Sequence, residues 1–267
     1  MTTSPPRIQA VLFDWAGTTV DFGSRGPTAV FLEIFRRRGV EITPAEARGP
    51  MGRAKRDHIA QVLAVPRVAD AWRTHHRRDP SSSDVDSMYE EFLPLQKSVL
   101  GQHSDVIPGV VETVAALRRR GIKIGSTTGY TRELMDVVEP LAKEQGYAPD
   151  VVLTTNDVPA GRPAPWMNVR AAEQLGVYPF DRVVAVDDTP VGLEAARNAG
   201  MWAVGVSRTG NALGLSEQEV AALPPAELRK RLDAIDKEFR AVGAHFVIEA
   251  ALDLPGVIET IEARLRV

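Results

Sequence analysis

The chain has 267 residues, of which 44% are hydrophobic, so it is long enough for one large α/β domain or for a core with a smaller inserted domain. Its 32 basic and 35 acidic residues leave a net charge of -3, and this near balance gives no general attraction to nucleic acid or to an anionic membrane. The absence of cysteine excludes disulfides, thiolate zinc sites and a cysteine nucleophile. No apolar run approaches the ~20 residues of a membrane helix and the N-terminus lacks a signal-peptide pattern, so we expect a cytoplasmic protein.

Short apolar runs along the chain predict the strands of a buried sheet. They are residues 8–13, 122–126, 151–154, 183–186 and 202–206, with a sixth candidate at 245–248. Their nearly continuous apolar character indicates burial on both faces, as in a parallel sheet covered by helices. Helical patterns follow at 110–120, 131–145, 165–175, 191–199, 226–242 and 255–266. The alternation predicts a doubly wound, mostly parallel, Rossmann-like α/β fold.

The interval from about Asp21 to Gln102 breaks this alternation, because it contains helical patterns only. The predicted helices are 28–38, 44–48, 54–63, 66–76 and 84–100, and Asp84 is the expected N-cap of the last one. An all-helical block between the first strand and the rest of an α/β sheet is most simply an inserted domain. We therefore expect an all-helical cap domain at residues 22–102 and a core domain formed by residues 1–21 and 103–267.

Polar residues follow the predicted strands at their carboxyl ends, where open α/β sheets bind ligands. They include Asp14, the segment Ser126–Thr131, Arg162 and the pair Asp187–Asp188. Carboxylates, hydroxyls, turn amides and a cation together suit a hard metal ion and a phosphoryl group. A nicotinamide site is disfavoured, because the first turn lacks the Gly-x-Gly-x-x-Gly pattern.

These strand ends resemble the motifs of the haloacid dehalogenase superfamily. Phe13–Thr19 (FDWAGTT) is similar to its nucleophile loop, Thr128–Gly129 to its phosphate-binding motif, Arg162–Pro163 to its cationic motif and Asp188 to its metal-binding acid. The resemblance implies a haloacid dehalogenase-like core with a helical cap inserted after the first motif. It also implies an enzyme, a hydrolase that requires Mg²⁺ and attacks a small phosphorus-containing substrate through Asp14.

Ala16 departs from the superfamily pattern. Most phosphatases of this superfamily have an aspartate two residues after the nucleophile, where it protonates the departing alcohol, but here the position is alanine. Loss of a general acid costs ~10²–10⁴-fold in rate. Either the chain is an impaired phosphatase, or its leaving group does not depart as an alkoxide.

The predicted cap offers a chemistry that needs no such acid. Lys55 and His58 are three residues apart and therefore share one helical face. A lysine condenses with an aldehyde to form an imine when desolvation or nearby cations lower its pKa from ~10.4. If the substrate carries its aldehyde on the carbon next to a carbon–phosphorus bond, cleavage of that bond releases an enamine instead of an alkoxide.

The chain is similar over nearly its whole length to the branch of the superfamily that degrades phosphonates. The similarity includes the segments around Pro50–Gly52, Gly125–Arg132 and Asn198–Trp202. It implies a Schiff base at Lys55, an aspartyl phosphate at Asp14 and proton transfers at the imine assisted by His58. The expected reaction converts a two-carbon aldehyde phosphonate to acetaldehyde and inorganic phosphate. Alternatives are a phosphomonoesterase or phosphosugar mutase of the same superfamily and a non-catalytic binding protein.

The same resemblance assigns the remaining site residues. Mg²⁺ would be held by Asp14, the backbone carbonyl of Ala16 and Asp188, although Asp187 stays open as the alternative to Asp188. The implied substrate-binding residues are Thr128, Gly129, Arg162, Met51, Gly52 and Tyr130. Gly192 stands where an outer acid of the metal site is often found. The resemblance further implies a homodimer formed through the cap.

Overall fold

A six-stranded parallel sheet lies at the centre of the computed structural model, which describes residues 7–266. The strands are β1 (Ala10–Phe13), β2 (Lys123–Thr127), β3 (Val151–Leu153), β4 (Val183–Asp187), β5 (Trp202–Val206) and β6 (Phe246–Ile248). They are arranged in the order β3-β2-β1-β4-β5-β6, and every neighbouring pair is parallel. The predicted fold class is therefore confirmed, and all six predicted strands are present.

Burial on both faces explains why the strands read as continuous apolar runs. In β1, Val11 and Phe13 belong to the hydrophobic cluster on one face of the sheet, whereas Ala10 and Leu12 belong to the cluster on the other. Successive side chains of a strand point to opposite faces, so an alternating pattern would have left one face polar. The neighbours of β1 are β2 and β4, and the strand order changes direction between β1 and β4. The crevice at such a switch point is where α/β sheets bind ligands.

Five helices follow β1 before the chain returns to the sheet. They are α1 (Arg25–Arg37), α2 (Pro44–Arg48), α3 (Lys55–Ala64), α4 (Pro66–His76) and α5 (Ser82–Leu100). Their apolar faces enclose a third hydrophobic cluster, separate from those of the sheet, with Phe31, Phe35, Trp72 and Phe92 at its centre. This packing gives the helical insert a core of its own. The predicted boundaries of the two domains stay a prediction, and residues 1–6 and 267 lie outside the described range.

The start of α5 differs from the prediction. Ser81, not Asp84, is the N-cap residue, and the helix begins at Ser82. Ser81 Oγ accepts a hydrogen bond from Asp84 N at 3.3 Å, while the Asp84 carboxylate accepts one from Ser81 N at 2.8 Å. This reciprocal capping box satisfies two backbone donors at once, whereas Asp84 as N-cap would have satisfied one.

The remaining helices cover the sheet. They are α6 (Val110–Arg119), α7 (Arg132–Glu144), α8 (Trp166–Gln174), α9 (Pro190–Asn198), α10 (Glu217–Ala222), α11 (Pro225–Ala241) and α12 (Leu254–Arg264). The sequence analysis missed α10, which has six residues and is too short to show a periodic pattern. None of the helices within residues 7–266 combines the length and the apolar character needed to cross a membrane.

The two chain segments that join the helical insert to the core run side by side. Asp21 N donates to Asp105 O at 3.1 Å, and Ile107 N donates to Thr19 O at 2.9 Å. An isolated antiparallel bridge joins Val20 and Val106 between these hydrogen bonds. The insert is therefore attached through a paired backbone connection next to the nucleophile loop.

Replacement of Phe92 by alanine tests the separate core of the insert. Phe92 is fully buried and packs against Phe31 with ring centroids 4.5 Å apart, so we expect Phe92→Ala to lower the free energy of unfolding by about 3–5 kcal/mol. Tyr178→Ala is the matched control, because Tyr178 is 80% exposed and its loss should change that free energy by less than ~0.5 kcal/mol. Urea titration followed by circular dichroism measures both. Equal effects of the two changes would contradict the expected packing.

Candidate active site

The nucleophile loop continues directly from β1. Asp14 N donates to Val186 O of β4 at 2.9 Å, and the amides of Thr18, Thr19 and Val20 all donate to Trp15 O. This tight turn carries Gly17 at φ 87°, where a Cβ atom would lie 2.1 Å from Asp188 Oδ2. Glycine is therefore required both by the backbone conformation and by the closeness of the carboxylate. The turn places Asp14 at the switch point between β1 and β4.

Three buried carboxylates meet at this point. Oxygen atoms of Asp14, Asp187 and Asp188 all lie within 4.8 Å of one another. Burial raises the pKa of Asp14 to about 7; Arg162 opposes this shift and the charge of Asp187 adds to it. Burial and the charges of Asp14 and Asp187 raise the pKa of Asp188 well above its usual range. Oxygen ligands that repel one another in a dry site fit a hard divalent cation.

Arg162 bridges two of these carboxylates. Its Nη2 lies 2.7 Å from Asp14 Oδ1 and its Nη1 lies 3.1 Å from Asp187 Oδ2. Nη2 also donates to the carbonyl and the hydroxyl of Thr127, at 2.9 and 2.8 Å. Burial disfavours the cation, but the charges of Asp187 and Asp14 outweigh burial and raise the pKa of Arg162. The guanidinium is therefore a permanent positive charge beside Asp14.

The surroundings of Asp187 and Asp188 differ. Asp187 accepts from the amide and hydroxyl of Thr189 at 2.9 and 2.6 Å, and its other oxygen faces Arg162. A Cβ at Gly192 would lie 2.0 Å from the Asp187 carboxylate, so glycine at this position makes room for Asp187. Within the described part of the chain, Asp188 is paired with neutral donors, the Thr18 hydroxyl at 3.2 Å and the Asn211 amide at 2.6 Å.

Lys55 is the first residue of α3 and reaches the core from the cap side. It is 4% exposed, and its Nζ lies 4.9 Å from the ring centroid of Tyr130 and 5.7 Å from that of Phe31. Burial lowers the pKa of Lys55 to about 8, with Asp14 opposing the shift and Arg162 adding to it. At neutral pH a useful fraction of this lysine is therefore an uncharged amine, the form that attacks carbonyl carbon.

His58 lies one turn further along α3 and is fully buried. Its Nε2 lies 2.8 Å from Ala47 O, which can only accept, so Nε2 carries the proton. Its Nδ1 has no hydrogen-bond partner among the described residues. Burial and the charge of Lys55 lower the pKa of His58 well below 6.5. His58 is therefore a neutral imidazole, stacked on Phe31 with ring centroids 3.7 Å apart.

One small cavity joins the cap to the core. All six predicted substrate residues line it, namely Met51, Gly52, Thr128, Gly129, Tyr130 and Arg162. Asp14, Ala16 and Lys55 line the same cavity, whose volume is about 20 Å³. This volume holds little more than one water molecule. The structure thus brings the predicted nucleophile and the predicted imine lysine to a single small cavity.

Residues of the cavity wall that the sequence analysis missed are Ser24, Pro27 and Thr189. Ser24 has φ 48° and a buried hydroxyl that lacks a hydrogen-bond partner within residues 7–266. No pattern in the sequence distinguishes it from an ordinary turn residue. Thr189 is the N-cap of α9 and precedes Pro190, so a threonine–proline helix start was the signal that could have found it.

Two glycines allow the cap to approach the core this closely. Gly52 has φ 89°, and a Cβ there would lie 2.5 Å from the Thr189 hydroxyl. A Cβ at Gly129 would lie 2.8 Å from Arg53 O. Any side chain at either position would therefore push the cap loop away from the cavity.

Known proteins resemble this chain in sequence and in structure. The profile of haloacid dehalogenase-like hydrolases matches residues 8–200. Phosphonoacetaldehyde hydrolases of Bacillus cereus (strain ZK / E33L) and Bacillus anthracis are each 50% identical over 256 residues, covering 96% of this chain and 97% of theirs. The crystal structure of a phosphonoacetaldehyde hydrolase-like protein from Oleispira antarctica has a TM-score of 0.96 at 38% identity, covering 100% of this chain and 97% of that one. A β-phosphoglucomutase from Clostridium difficile shares the fold, with a TM-score of 0.68 at 17% identity and coverage of 96% and 98%.

Replacement of Asp188 by asparagine tests the electrostatics of the three carboxylates. In metal-free buffer at neutral pH we expect Asp188→Asn to raise the melting temperature, because folding raises the pKa of the Asp188 carboxyl and so destabilises the folded state, whereas a neutral amide carries no such penalty. In millimolar Mg²⁺ the wild type should have the higher melting temperature of the two proteins. The bound ion stabilises the folded state, and it stabilises the protein that binds it more tightly by a larger amount. Thermal unfolding with EDTA or with Mg²⁺ measures both.

Asp233→Asn is the matched control, because Asp233 is an exposed carboxylate paired with Arg229 on the surface. It should leave both melting temperatures nearly unchanged. A variant Asp188→Asn that Mg²⁺ stabilises as strongly as the wild type would show that Asp188 is not a metal ligand.

Proposed function

We propose that this chain, which belongs to the haloacid dehalogenase-like hydrolases, is a phosphonoacetaldehyde hydrolase that forms acetaldehyde and inorganic phosphate. One observation carries the proposal: Asp14 and a buried Lys55 with a lowered pKa line the same cavity, next to Ala16. Relatives of that name at 50% identity support it. An ester-cleaving enzyme would leave both the buried lysine and the missing acid without a purpose.

The phosphonate group would bind on the core side of the cavity. Thr128, Gly129 and the cation of Arg162 would receive its oxygens, since Arg162 lies against Asp14 and cannot lose its charge. Met51, Gly52 and Tyr130 would enclose the two-carbon part, because they line the same cavity as Lys55, whose Nζ lies 4.9 Å from the ring centroid of Tyr130. This orientation presents phosphorus to Asp14 and the aldehyde to Lys55.

The three carboxylates fit Mg²⁺. Asp14, Asp188 and the backbone carbonyl of Ala16 would hold the ion, and Asp188 is favoured over Asp187 because Arg162 and Thr189 already bind Asp187. When bound, the ion would neutralise charge between Asp14 and the phosphonate. Oxygen ligands at a buried, negatively charged site are those that Mg²⁺ prefers.

The first step would be condensation of the Lys55 amine with the aldehyde. The nitrogen attacks the carbonyl carbon, water leaves, and the product is an imine whose protonated nitrogen draws electrons from the adjacent carbon. His58 would accept and return protons through Nδ1, because its Nε2 is engaged by Ala47 O. Nδ1 is the ring nitrogen of this neutral imidazole that has no hydrogen-bond partner among the described residues, so it is free to take a proton.

The second step would be attack of an Asp14 carboxylate oxygen on phosphorus. The carbon–phosphorus bond breaks, its electron pair moves into the iminium to give an enamine on Lys55, and Asp14 becomes an aspartyl phosphate. Water then hydrolyses the aspartyl phosphate to inorganic phosphate. Protonation of the enamine carbon and hydrolysis of the imine release acetaldehyde and restore the Lys55 amine. No oxygen leaving group requires a proton, so Ala16 costs the reaction nothing.

Entry of substrate requires the cap to move. A cavity of about 20 Å³ cannot admit a two-carbon phosphonate, so the wall formed by Met51, Gly52 and Lys55 must open and close during turnover. Closure would exclude water during imine formation. A homodimer formed through the cap and a cytoplasmic location stay predictions from the sequence.

Phosphate release from a panel of substrates tests the function. Phosphonoacetaldehyde should be turned over much faster than p-nitrophenyl phosphate or sugar phosphates, and only with Mg²⁺. Asp14→Asn should lower the rate by at least ~10⁴-fold, since the covalent intermediate is lost. Asp233→Asn serves as the surface control. Preference for a phosphate ester would instead indicate a phosphomonoesterase.

Trapping with borohydride tests the role of Lys55. Reduction in the presence of phosphonoacetaldehyde should fix a secondary amine at Lys55, detected by peptide mass spectrometry. Because Lys55 has a pKa of about 8, the initial trapping rate should rise with pH and level off above that value. It should fall by about tenfold for each pH unit below, as the uncharged amine does.

Lys55→Arg should abolish the adduct, whereas Lys97→Arg, which changes an exposed cap lysine, should not. An adduct that persists in Lys55→Arg would place the Schiff base elsewhere. A rate that is flat from pH 6 to 9 would contradict the lowered pKa.

A further inference from the structure

We propose that Arg48 and Asn211 form a latch that holds the cap closed over the cavity and couples closure to the position of Asp188. Arg48 is the last residue of α2 in the cap, and Asn211 lies in the loop that follows β5 in the core. The importance of this latch for the reaction rests on the proposed function. Its effect on the cap does not, because it concerns only contacts within the protein.

The Arg48 guanidinium donates hydrogen bonds to several backbone and side-chain acceptors outside its own helix. Nη1 donates to Gly23 O at 2.8 Å and to Asn211 Oδ1 at 3.1 Å, and Nη2 donates to Gly214 O at 3.1 Å. Gly214 has φ 68°, and a Cβ there would lie 2.7 Å from Arg48 Cζ. The core loop is therefore shaped to receive a planar guanidinium, which a lysine could not match.

Asn211 also donates a hydrogen bond back to Arg48. Its Nδ2 donates to Arg48 O at 3.2 Å, so each residue both donates to the other and accepts from it. Arg48 O also accepts from Met51 N at 3.0 Å, at the start of the loop that closes the cavity. The latch thus holds the cap just before Met51 and Gly52.

Asn211 also contacts one of the three buried carboxylates, Asp188. Its backbone amide donates to Asp188 Oδ2 at 2.6 Å. Two residues earlier in the same loop, the Thr209 hydroxyl donates to Gly17 O in the nucleophile loop at 2.8 Å. A Cβ at Gly210 would lie 2.6 Å from Asp188 Cβ, so the loop has no freedom to shift independently of Asp188.

The hydrogen bonds between Arg48 and the core loop form when the cap lies against the core and are lost when it moves away. Opening would remove Arg48 from the loop at 211–214, and Asn211 would lose its hydrogen bonds with Arg48. Burial lowers the pKa of Arg48, while the charges of Asp21 and Asp188 oppose that shift, so the cation is attracted towards the carboxylates. A contact present in one state and absent in the other is what biases a two-state equilibrium. By linkage, metal binding near Asp188 and closure of the cap should favour each other.

Thiol labelling measures the open population directly, because the chain contains no cysteine. Ser24→Cys introduces a nearly isosteric thiol at a residue that is 1% exposed and lines the cavity. An uncharged maleimide is too large for the cavity, so its rate of reaction reports opening of the cavity. Asn211→Ala leaves in place the contact of Arg48 Nη1 with Ser24 O at 3.5 Å, so this variant separates opening from a direct effect on the reporter residue. The assay uses the full chain and needs no substrate.

In the Ser24→Cys background we expect Arg48→Ala and Asn211→Ala each to raise the labelling rate by about 10–100-fold, the range for hydrogen bonds to a charged group. The double variant should raise the rate by clearly less than the product of the two single effects, since both changes remove the hydrogen bond between Arg48 Nη1 and Asn211 Oδ1. Arg48→Lys should give an intermediate rate. Loss of the Arg48 charge would by itself slow the thiol by raising its pKa, so faster labelling cannot come from that source.

Arg38→Ala is the matched control, because Arg38 is a part-buried cap arginine whose side chain contacts Ser87 and Glu91 within the cap. It should leave labelling unchanged within about twofold, and circular dichroism should show that every variant is folded. Mg²⁺ should slow labelling of the wild-type background, and this protection should shrink in Arg48→Ala.

Labelling of Arg48→Ala at the control rate, or additive effects of the two single changes, would overturn the latch. If the protein instead released no phosphate from phosphonoacetaldehyde, the proposed function would fail while the labelling result still decided the latch.

Discussion

The ionic contacts of Arg162 in a dry site are the constraint on which the rest of the structure depends. Three carboxylates within 4.8 Å of one another repel strongly when buried, and Arg162 offsets two of them by lying between Asp14 and Asp187. The residues around the three carboxylates either make room for them or donate hydrogen bonds to them. Gly17 and Gly192 leave space for the carboxylates, while Thr189 and the Asn211 amide satisfy oxygens that Arg162 does not reach.

Burial against the cap helices sets the charge state of Lys55. An exposed lysine would keep its proton at neutral pH, whereas Lys55 is buried, and its pKa falls to about 8. Asp14 limits the fall by attracting the ammonium, so Asp14 and Lys55 are electrostatically linked across the cavity. Ala16 fits the proposed reaction, in which no oxygen leaving group requires a proton.

Much of the fold was predictable because parallel strands and their covering helices leave local signatures. Residues 183–186 and 202–206 read as apolar runs, and the structure places β4 and β5 there. Local patterns failed where two residues compete for one role, as with Ser81 and Asp84 at the start of α5. They also failed for α10, whose six residues are too few for a period to appear. The roles assigned to the site residues, His58 above all, stay predictions.

The sequence by itself showed which apolar segments are followed by polar residues, that Asp14 follows the first of them, and that position 16 is alanine instead of an acid. These are properties of short contiguous segments. Only the tertiary structure determined the surroundings of the individual side chains. It paired Arg162 with Asp187, gave His58 a proton on Nε2 by placing Ala47 O beside it, and brought together Arg48 and Asn211 from 163 residues apart. Burial and long-range contacts set pKa values and tautomers, and neither can be read from neighbours along the chain.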